Sequence, residues 1–139
     1  MNIPCKPRTR ELSTGLDSKQ AEAEICRMAS LNNRGQPILD LGLLGMGEDG
    51  HVASLFPGDA EALESKAVYR AVTGPKPPPR RITLGFPALA AAREVWILVS
   101  GQDKAEAMRA SLLVSGTTPL AKVLQSWVHT AIFTDFDLE

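Results

Sequence analysis

A histidine stands inside a glycine-rich segment, GMGEDGHVASLFPG, which spans residues 45–58 of this chain. Gly45, Gly47 and Gly50 would let the backbone bend sharply and approach a ligand without interference from Cβ atoms. Backbone N–H groups at a helix start attract anions or a developing oxyanion. If a helix begins here, its positive end would also keep the imidazole of His51 neutral. A neutral imidazole can act as a general base near pH 7.

Two other interpretations of this segment have to be weighed. The adjacent acids Glu48 and Asp49 could be metal ligands, but no second Asp, Glu or His cluster at ligand spacing occurs in the sequence. The sequence therefore argues against a metal, and Asp49 is better placed to orient His51 or to cap the following turn. Glycine turns after strands are common, so spacing alone favours a purely structural role for the segment.

The elements around the segment indicate how it would be positioned. The apolar run Ile38–Leu44 precedes it, as expected of a strand that is buried on both faces. Later strand patterns alternate with helical ones, which predicts the α/β class. We expect an open, mainly parallel, Rossmann-like sheet with helices on both faces. In such sheets ligands bind beyond the carboxyl ends of the strands, where the glycine turn would lie. The further strand candidates are Val68–Thr73, Ile82–Phe86, Val95–Val99 and the segment HTAIFT near the end of the chain.

Length and composition predict one domain over residues 1–139, with residues 1–16 as an irregular lead-in. The net charge of −1 and the 44% hydrophobic content give no electrostatic reason to expect nucleic acid or a membrane as partner. No apolar run approaches the ~20 residues of a membrane span, and the start lacks the pattern of a signal peptide. Cys5 and Cys26 are too far apart for a CxxC pair, so reduced thiols and a cytoplasmic location are expected.

The literal string GMGEDGHVASLFPG closely resembles the signature of the 6-phosphogluconolactonases, with Val52 in place of the usual threonine. These enzymes share a family with the glucosamine-6-phosphate isomerases. The segment KPPPRRIT resembles the Pro-rich lead into a strand of this family. The segment FPALAAAREVWILVSGQDKAEAM resembles its following helix, strand and G-x-x-K-A stretch. The resemblance covers about Asp17 to Leu124.

The resemblance implies hydrolysis of 6-phospho-D-glucono-1,5-lactone to 6-phosphogluconate, the second step of the pentose phosphate pathway. It implies that His51 activates water, and that Arg81 and Lys104 hold the phosphate of a phosphorylated sugar lactone. Without it, both cations would be interpreted as ordinary exposed charges. It also implies no metal and no organic cofactor. The remaining substrate-binding positions that it implies are in the glycine loop: Gly45, Gly47, Asp49 and Gly50.

The resemblance extends only to the C-terminal portion of the family domain. The earlier half of that domain carries a Gly/Ser-rich phosphate loop and an Asp-Glu-Arg segment, and neither occurs upstream of residue 40. We therefore expect the first strands of the sheet to be missing, which would leave an open edge and favour self-association. The missing phosphate loop favours an alternative to hydrolysis, in which the chain is a non-catalytic relative that binds sugar phosphate weakly or acts in assembly. An isomerase or deaminase is a weaker alternative, because Phe56 stands where those enzymes have an acid.

Overall fold

The structure is a computed structural model, and it describes residues 14–126 and 129–138. The longest described helix has 15 residues, and no described helix is long and apolar enough to cross a membrane. In chain order the strands are β1 (Leu41–Gly45), β2 (Tyr69–Thr73), β3 (Arg80–Leu84), β4 (Glu94–Val99) and β5 (Thr130–Thr134). The helices are α1 (Thr14–Met28), α2 (Ala60–Glu64), α3 (Phe86–Ala90), α4 (Ala105–Leu112) and α5 (Pro119–Leu124), and Gln102–Lys104 forms a 3₁₀ turn.

Three of the strands form a parallel sheet in the order β1-β4-β5, and β2 and β3 form a separate antiparallel hairpin. The predicted α/β class with a parallel sheet is therefore confirmed. The proline-rich segment between β2 and β3 reverses the chain, which the strand patterns alone did not indicate. Because the sheet is parallel, the loops after β1, β4 and β5 all lie at one edge.

The two faces of the parallel sheet differ in burial. Val95, Ile97 and Val99 of β4 alternate toward a core that they share with buried side chains of α3, α4 and α5. Helices were expected on both faces; α3, α4 and α5 contribute to the core on this face, and α1 packs against the hairpin instead. The opposite face carries partly exposed apolar side chains on all three strands: Leu41, Leu43, Trp96, Leu98 and Phe133.

The first strand corrects the sequence prediction at two points. It begins at Leu41 rather than Ile38, and among the described strands it lies at the edge of the sheet instead of being buried on both faces. The Leu43 side chain is 62% exposed, while Leu44 on the other face is 8% exposed. A continuous apolar run is typical of a central strand, but position in the sheet depends on neighbours that the run itself does not specify.

The predicted lead-in, residues 1–16, is also corrected. Helix α1 already begins at Thr14, so residues 14–16 are helical, and residues 1–13 lie outside the described residues. The helix is held against the hairpin, since Glu22 Oε2 accepts hydrogen bonds from the backbone N–H groups of Val68 and Tyr69 at 3.0 and 3.1 Å.

Candidate functional site

The glycine loop follows β1 and folds back on itself at the carboxyl edge of the sheet. Gly47 N–H donates to the carbonyl of His51 at 2.9 Å, and Gly50 N–H donates to the carbonyl of Gly47 at 3.0 Å. The predicted helix start at His51 is wrong, because turns follow the histidine and α2 begins only at Ala60. No helix dipole therefore acts on the imidazole from this position. Its environment is set by the loop.

Two glycines of the loop are required by close approaches. A Cβ on Gly47 would stand 2.1 Å from Cε1 and 2.2 Å from Nδ1 of His51, so the imidazole occupies the space that a side chain would need. Gly50 has φ +78°, and a Cβ there would lie 2.8 Å from Cβ of Thr118. At Gly45 the nearest atom to an added Cβ is the Leu98 carbonyl oxygen at 4.0 Å. Gly47 and Gly50 thus shape the site, while Gly45 ends the strand.

Asp49 orients the imidazole. Its Oδ1 lies 2.6 Å from Nδ1 of His51 and also accepts the backbone N–H of His51 at 3.1 Å. Partial burial opposes ionisation of Asp49, but the hydrogen bonds from the side chain and backbone of His51 outweigh it and hold the pKa of this carboxyl below its ordinary value. An ionised carboxylate only accepts, so Nδ1 carries the proton and Nε2 of the neutral ring is left as the acceptor.

The imidazole remains accessible from solvent. The side chain of His51 is 24% exposed and that of Asp49 is 49% exposed. Part of the imidazole can therefore be reached by a small molecule at the sheet edge. A carboxylate, an imidazole and an approaching water form the arrangement of a general base with its orienting group.

The ring of Phe56 contacts both His51 and Arg81. Its ring centroid is 4.9 Å from that of His51, and the guanidinium carbon of Arg81 lies 5.5 Å from the same centroid. Arg81 is held in place by its own hairpin, because Nε donates to the carbonyl of Pro78 at 2.9 Å and Nη2 to that of Lys76 at 2.8 Å. The structure therefore brings the candidate base and one candidate phosphate ligand into contact with the same ring.

Lys104 lies in the 3₁₀ turn after β4, at the same edge of the sheet. Its described neighbour is Asp135, which follows β5 and accepts hydrogen bonds from Ser100 Oγ at 2.6 Å and Gly101 N–H at 3.0 Å. These two bonds, with a smaller contribution from the charge of Lys104, hold the pKa of Asp135 below its ordinary value. Lys104 thus has an anionic neighbour from the chain itself.

Two features of the site were missed by sequence reasoning. Phe56 was considered only as the replacement of an acid, and Thr118 was not considered at all. Thr118 caps α5 by accepting the N–H of Ala121 at 3.0 Å, and Leu120 N–H of the same helix donates to the Gly50 carbonyl at 3.0 Å. The Thr-Pro pair predicts a helix start, but nothing in the sequence indicates that this helix braces the glycine loop.

Possible metal ligands are dispersed over the described residues. Within residues 14–126 and 129–138, no group of three or more His, Cys, Asp or Glu side chains is placed to hold a metal ion. The Oδ1 atom of Asp49 is engaged by His51. The chemistry that these residues offer is proton transfer at Nε2 of His51.

Comparison with known proteins gives a consistent result. A family model described as glucosamine-6-phosphate isomerases/6-phosphogluconolactonase matches residues 4–131. The 6-phosphogluconolactonase of Mycobacterium tuberculosis is 51% identical over 86 residues, which cover 61% of this chain and 34% of the relative. "6-phosphogluconolactonase 3, chloroplastic" of Arabidopsis thaliana is 49% identical over 88 residues, which cover 63% of this chain and 27% of the relative.

A solved structure agrees on the fold. The crystal structure of the 6-phosphogluconolactonase from Leishmania guyanensis superposes with a TM-score of 0.73 at 26% identity. The match covers 87% of this chain and 50% of that one. The chain therefore spans about a third of the length of the curated relatives it matches and half of this solved structure.

Proposed function

The chain belongs to the glucosamine-6-phosphate isomerase/6-phosphogluconolactonase family, and we propose that it hydrolyses 6-phospho-D-glucono-1,5-lactone to 6-phosphogluconate, the second step of the pentose phosphate pathway. One observation supports this most directly. Oδ1 of Asp49 lies 2.6 Å from Nδ1 of His51 at the carboxyl edge of the sheet, which leaves Nε2 as the acceptor of a ring that is 24% exposed. The names of the related proteins supply the substrate class.

In the proposed reaction, Nε2 of His51 removes a proton from water as its oxygen attacks the lactone carbonyl carbon. The Asp49 carboxylate stabilises the imidazolium that forms. The tetrahedral intermediate then collapses, the bond from the carbonyl carbon to the ring oxygen breaks, and the ring oxygen takes the proton back from His51. The product is the open-chain acid. No cofactor is needed for any of these transfers.

In its present conformation the glycine loop offers few free N–H donors to the oxyanion of the tetrahedral intermediate. The N–H groups of Gly47 and Gly50 already donate within the loop. Their proposed role is therefore to place His51, and donors to the oxyanion would have to come from other groups or from a change in the loop. Removal of one oxyanion donor costs about 10²–10³ in rate in enzymes that depend on it.

The phosphate is proposed to bind at Arg81, with Lys104 as a second cation. The distance from the imidazole to the guanidinium cannot exceed the sum of their two distances to the Phe56 ring. A sugar lactone with its carbonyl at one end and its phosphate at the other can bridge such a span. Because Nε and Nη2 of Arg81 already donate to backbone carbonyls, the remaining Nη1 group is the proposed phosphate donor.

The same observations favour a second candidate function, non-catalytic binding of a sugar phosphate. Two loop N–H groups and two guanidinium donors are used inside the chain, which reduces what the described residues offer to an anion. An isomerase or deaminase is less well supported. Phe56, which contacts the His51 ring, has no proton to transfer.

The test replaces the two histidines of the chain one at a time. Proton release from freshly made lactone is followed in a pH-stat for the wild type, His51→Ala and His129→Ala. Removal of a general base typically lowers the rate about 10²–10⁴-fold, so we expect a loss of that order for His51→Ala. His129 is exposed before β5 and serves as the control.

The outcomes separate the candidates. A wild-type rate equal to the spontaneous rate would refute hydrolysis by this chain. Binding of 6-phosphogluconate in a calorimetric titration of the same sample would then support the non-catalytic function. Undiminished hydrolysis by His51→Ala would show that another group activates water.

The expected location and partners stay predictions. A cytoplasmic location would be tested by fractionating cells that produce the tagged chain. The expectation of no nucleic acid or membrane partner would be tested by co-sedimentation with duplex DNA and with anionic vesicles.

A further inference from the structure

The ring of Phe56 is contacted by groups from three separate stretches of the chain. His51 lies at 4.9 Å between ring centroids with an interplanar angle of 43°, and the guanidinium of Arg81 lies at 5.5 Å. Gly74, directly after β2, lies beside both the Phe56 ring and Arg81. A Cβ on Gly74 would stand 3.1 Å from Cε2 and Cζ of Phe56 and 3.2 Å from Nε of Arg81. The hairpin therefore leaves space for this ring and this arginine together.

The backbone around Phe56 is fastened to the hairpin that carries Arg81. Asp59 N–H donates to the carbonyl of Phe56 at 3.3 Å, and the carboxylate of Asp59 accepts from Arg70 Nη1 at 3.0 Å. Arg70 belongs to β2 and is 8% exposed, so this ion pair is largely shielded from water. The segment that follows His51 and the hairpin are thus linked at two points, through the ion pair and through the ring.

We propose that Phe56 is a positioning residue that sets the relative placement of the base His51 and the phosphate-binding Arg81. The assignment rests on the proposed function. An aromatic ring is suited to this task because its negative face attracts the guanidinium and its flat surface packs against an imidazole. Two hydrogen bonds to backbone carbonyls already fix the plane of the guanidinium. A substrate that reaches both groups would therefore meet them in a preformed arrangement.

The test compares Phe56→Leu with Phe133→Leu, a phenylalanine on the exposed face of the sheet that is 50% exposed. A further variant, Phe56→Tyr, keeps an aromatic ring at this position and shows whether the ring itself is what matters. The first readout is the NMR shift of the His51 ring protons, which the neighbouring aromatic ring perturbs. We expect the perturbation to disappear in Phe56→Leu and to remain in Phe133→Leu and Phe56→Tyr.

The second readout is affinity for 6-phosphogluconate by calorimetry, combined with kcat and KM where turnover is measurable. Loss of a cation–π contact of ordinary strength should weaken binding and raise KM about threefold to tenfold in Phe56→Leu. Because His51 would also shift, kcat should fall. Phe56→Tyr should restore both values, which general destabilisation would not predict.

The results also separate this inference from the proposed function. If the wild type does not hydrolyse the lactone, the proposed function fails, and the positioning role stands only if Phe56→Leu also weakens binding of 6-phosphogluconate and Phe133→Leu does not. If Phe56→Leu keeps the wild-type His51 shifts, the inference is overturned whether or not the chain is active. A Phe56→Leu variant that loses the shifts but keeps wild-type kcat and KM would likewise overturn it.

Discussion

Replacing Gly47 with alanine should displace the imidazole of His51 while every reacting group keeps its chemical identity. The new Cβ would stand 2.1 Å from Cε1 of His51, whereas carbon atoms in contact lie about 3.5–4.0 Å apart. The ring must therefore retreat by more than ~1 Å. The 2.6 Å bond between Nδ1 and Asp49 cannot survive a displacement of that size unless the loop itself moves. The substitution thus acts on the orientation of His51.

The magnitude follows from the contacts that are lost. A hydrogen bond to a charged group contributes about 1.5–3 kcal/mol, and the 49% exposure of Asp49 reduces this to about 1 kcal/mol of unfolding free energy. Misplacement of a reacting group by about 1 Å can cost on the order of 10²-fold in rate. We therefore expect Gly47→Ala to lower kcat/KM about a hundredfold and stability only slightly.

The matched control is Gly45→Ala, two residues earlier, where the nearest atom to the new Cβ lies at 4.0 Å. This variant should stay within about 0.5 kcal/mol of the wild type in urea unfolding, and it should keep the wild-type His51 ring shifts. Lactone hydrolysis and the His51 ring shifts are measured for both variants. Equal behaviour of the two in rate and ring shift would refute the argument that Gly47 makes room for the imidazole.

Two further predictions concern stability and association. The hydrogen bond from Arg70 holds the pKa of Asp59 below its ordinary value of 3.8, despite partial burial, so this carboxylate stabilises the fold above that pH and the contribution is lost as the pH falls toward the lower folded-state pKa. In urea unfolding, Asp59→Asn should lower the free energy of unfolding by about 1–2 kcal/mol at pH 7 and by much less at pH 3. The control is Glu61→Gln, at an 89% exposed carboxylate 3.7 Å from Arg70, which should lower it by about 0–0.5 kcal/mol. Equal losses in the two variants would contradict the assignment. Exposed apolar patches favour association, so Leu43→Lys on the exposed face of the sheet should lower the mass measured by sedimentation. Val114→Lys, at a 97% exposed position outside the sheet, should leave that mass unchanged. A wild type that is monomeric at all concentrations would refute association through this face.

Local features of the site could be predicted from the sequence. The strand before the loop, the glycine turn and the pairing of Asp49 with His51 all depend on residues within a short segment of chain. A short apolar run that stops at glycine is typical of a buried strand followed by a turn. A carboxylate two residues from a histidine can reach its Nδ1 atom. The strand Val95–Val99 was also predicted, because a short apolar run that stops at Ser100 and Gly101 is a property of the chain itself. Its alternation between core and solvent was not predicted, since all five side chains are apolar and only the structure shows Trp96 and Leu98 exposed.

The rest was decided by tertiary structure, because contacts between distant segments depend on topology. Phe56 and Arg81 meet only because the loop after β1 packs against the hairpin, and Thr118 reaches Gly50 only because α5 begins beside that loop. The burial of a strand likewise depends on what lies next to it. The run that ends at Leu44 has the composition of a central strand, yet Leu43 is exposed because, in the described part of the chain, the buried core lies on the other face of the sheet. A residue pattern specifies which side chains can be buried, and only the arrangement of its neighbours determines which of them are.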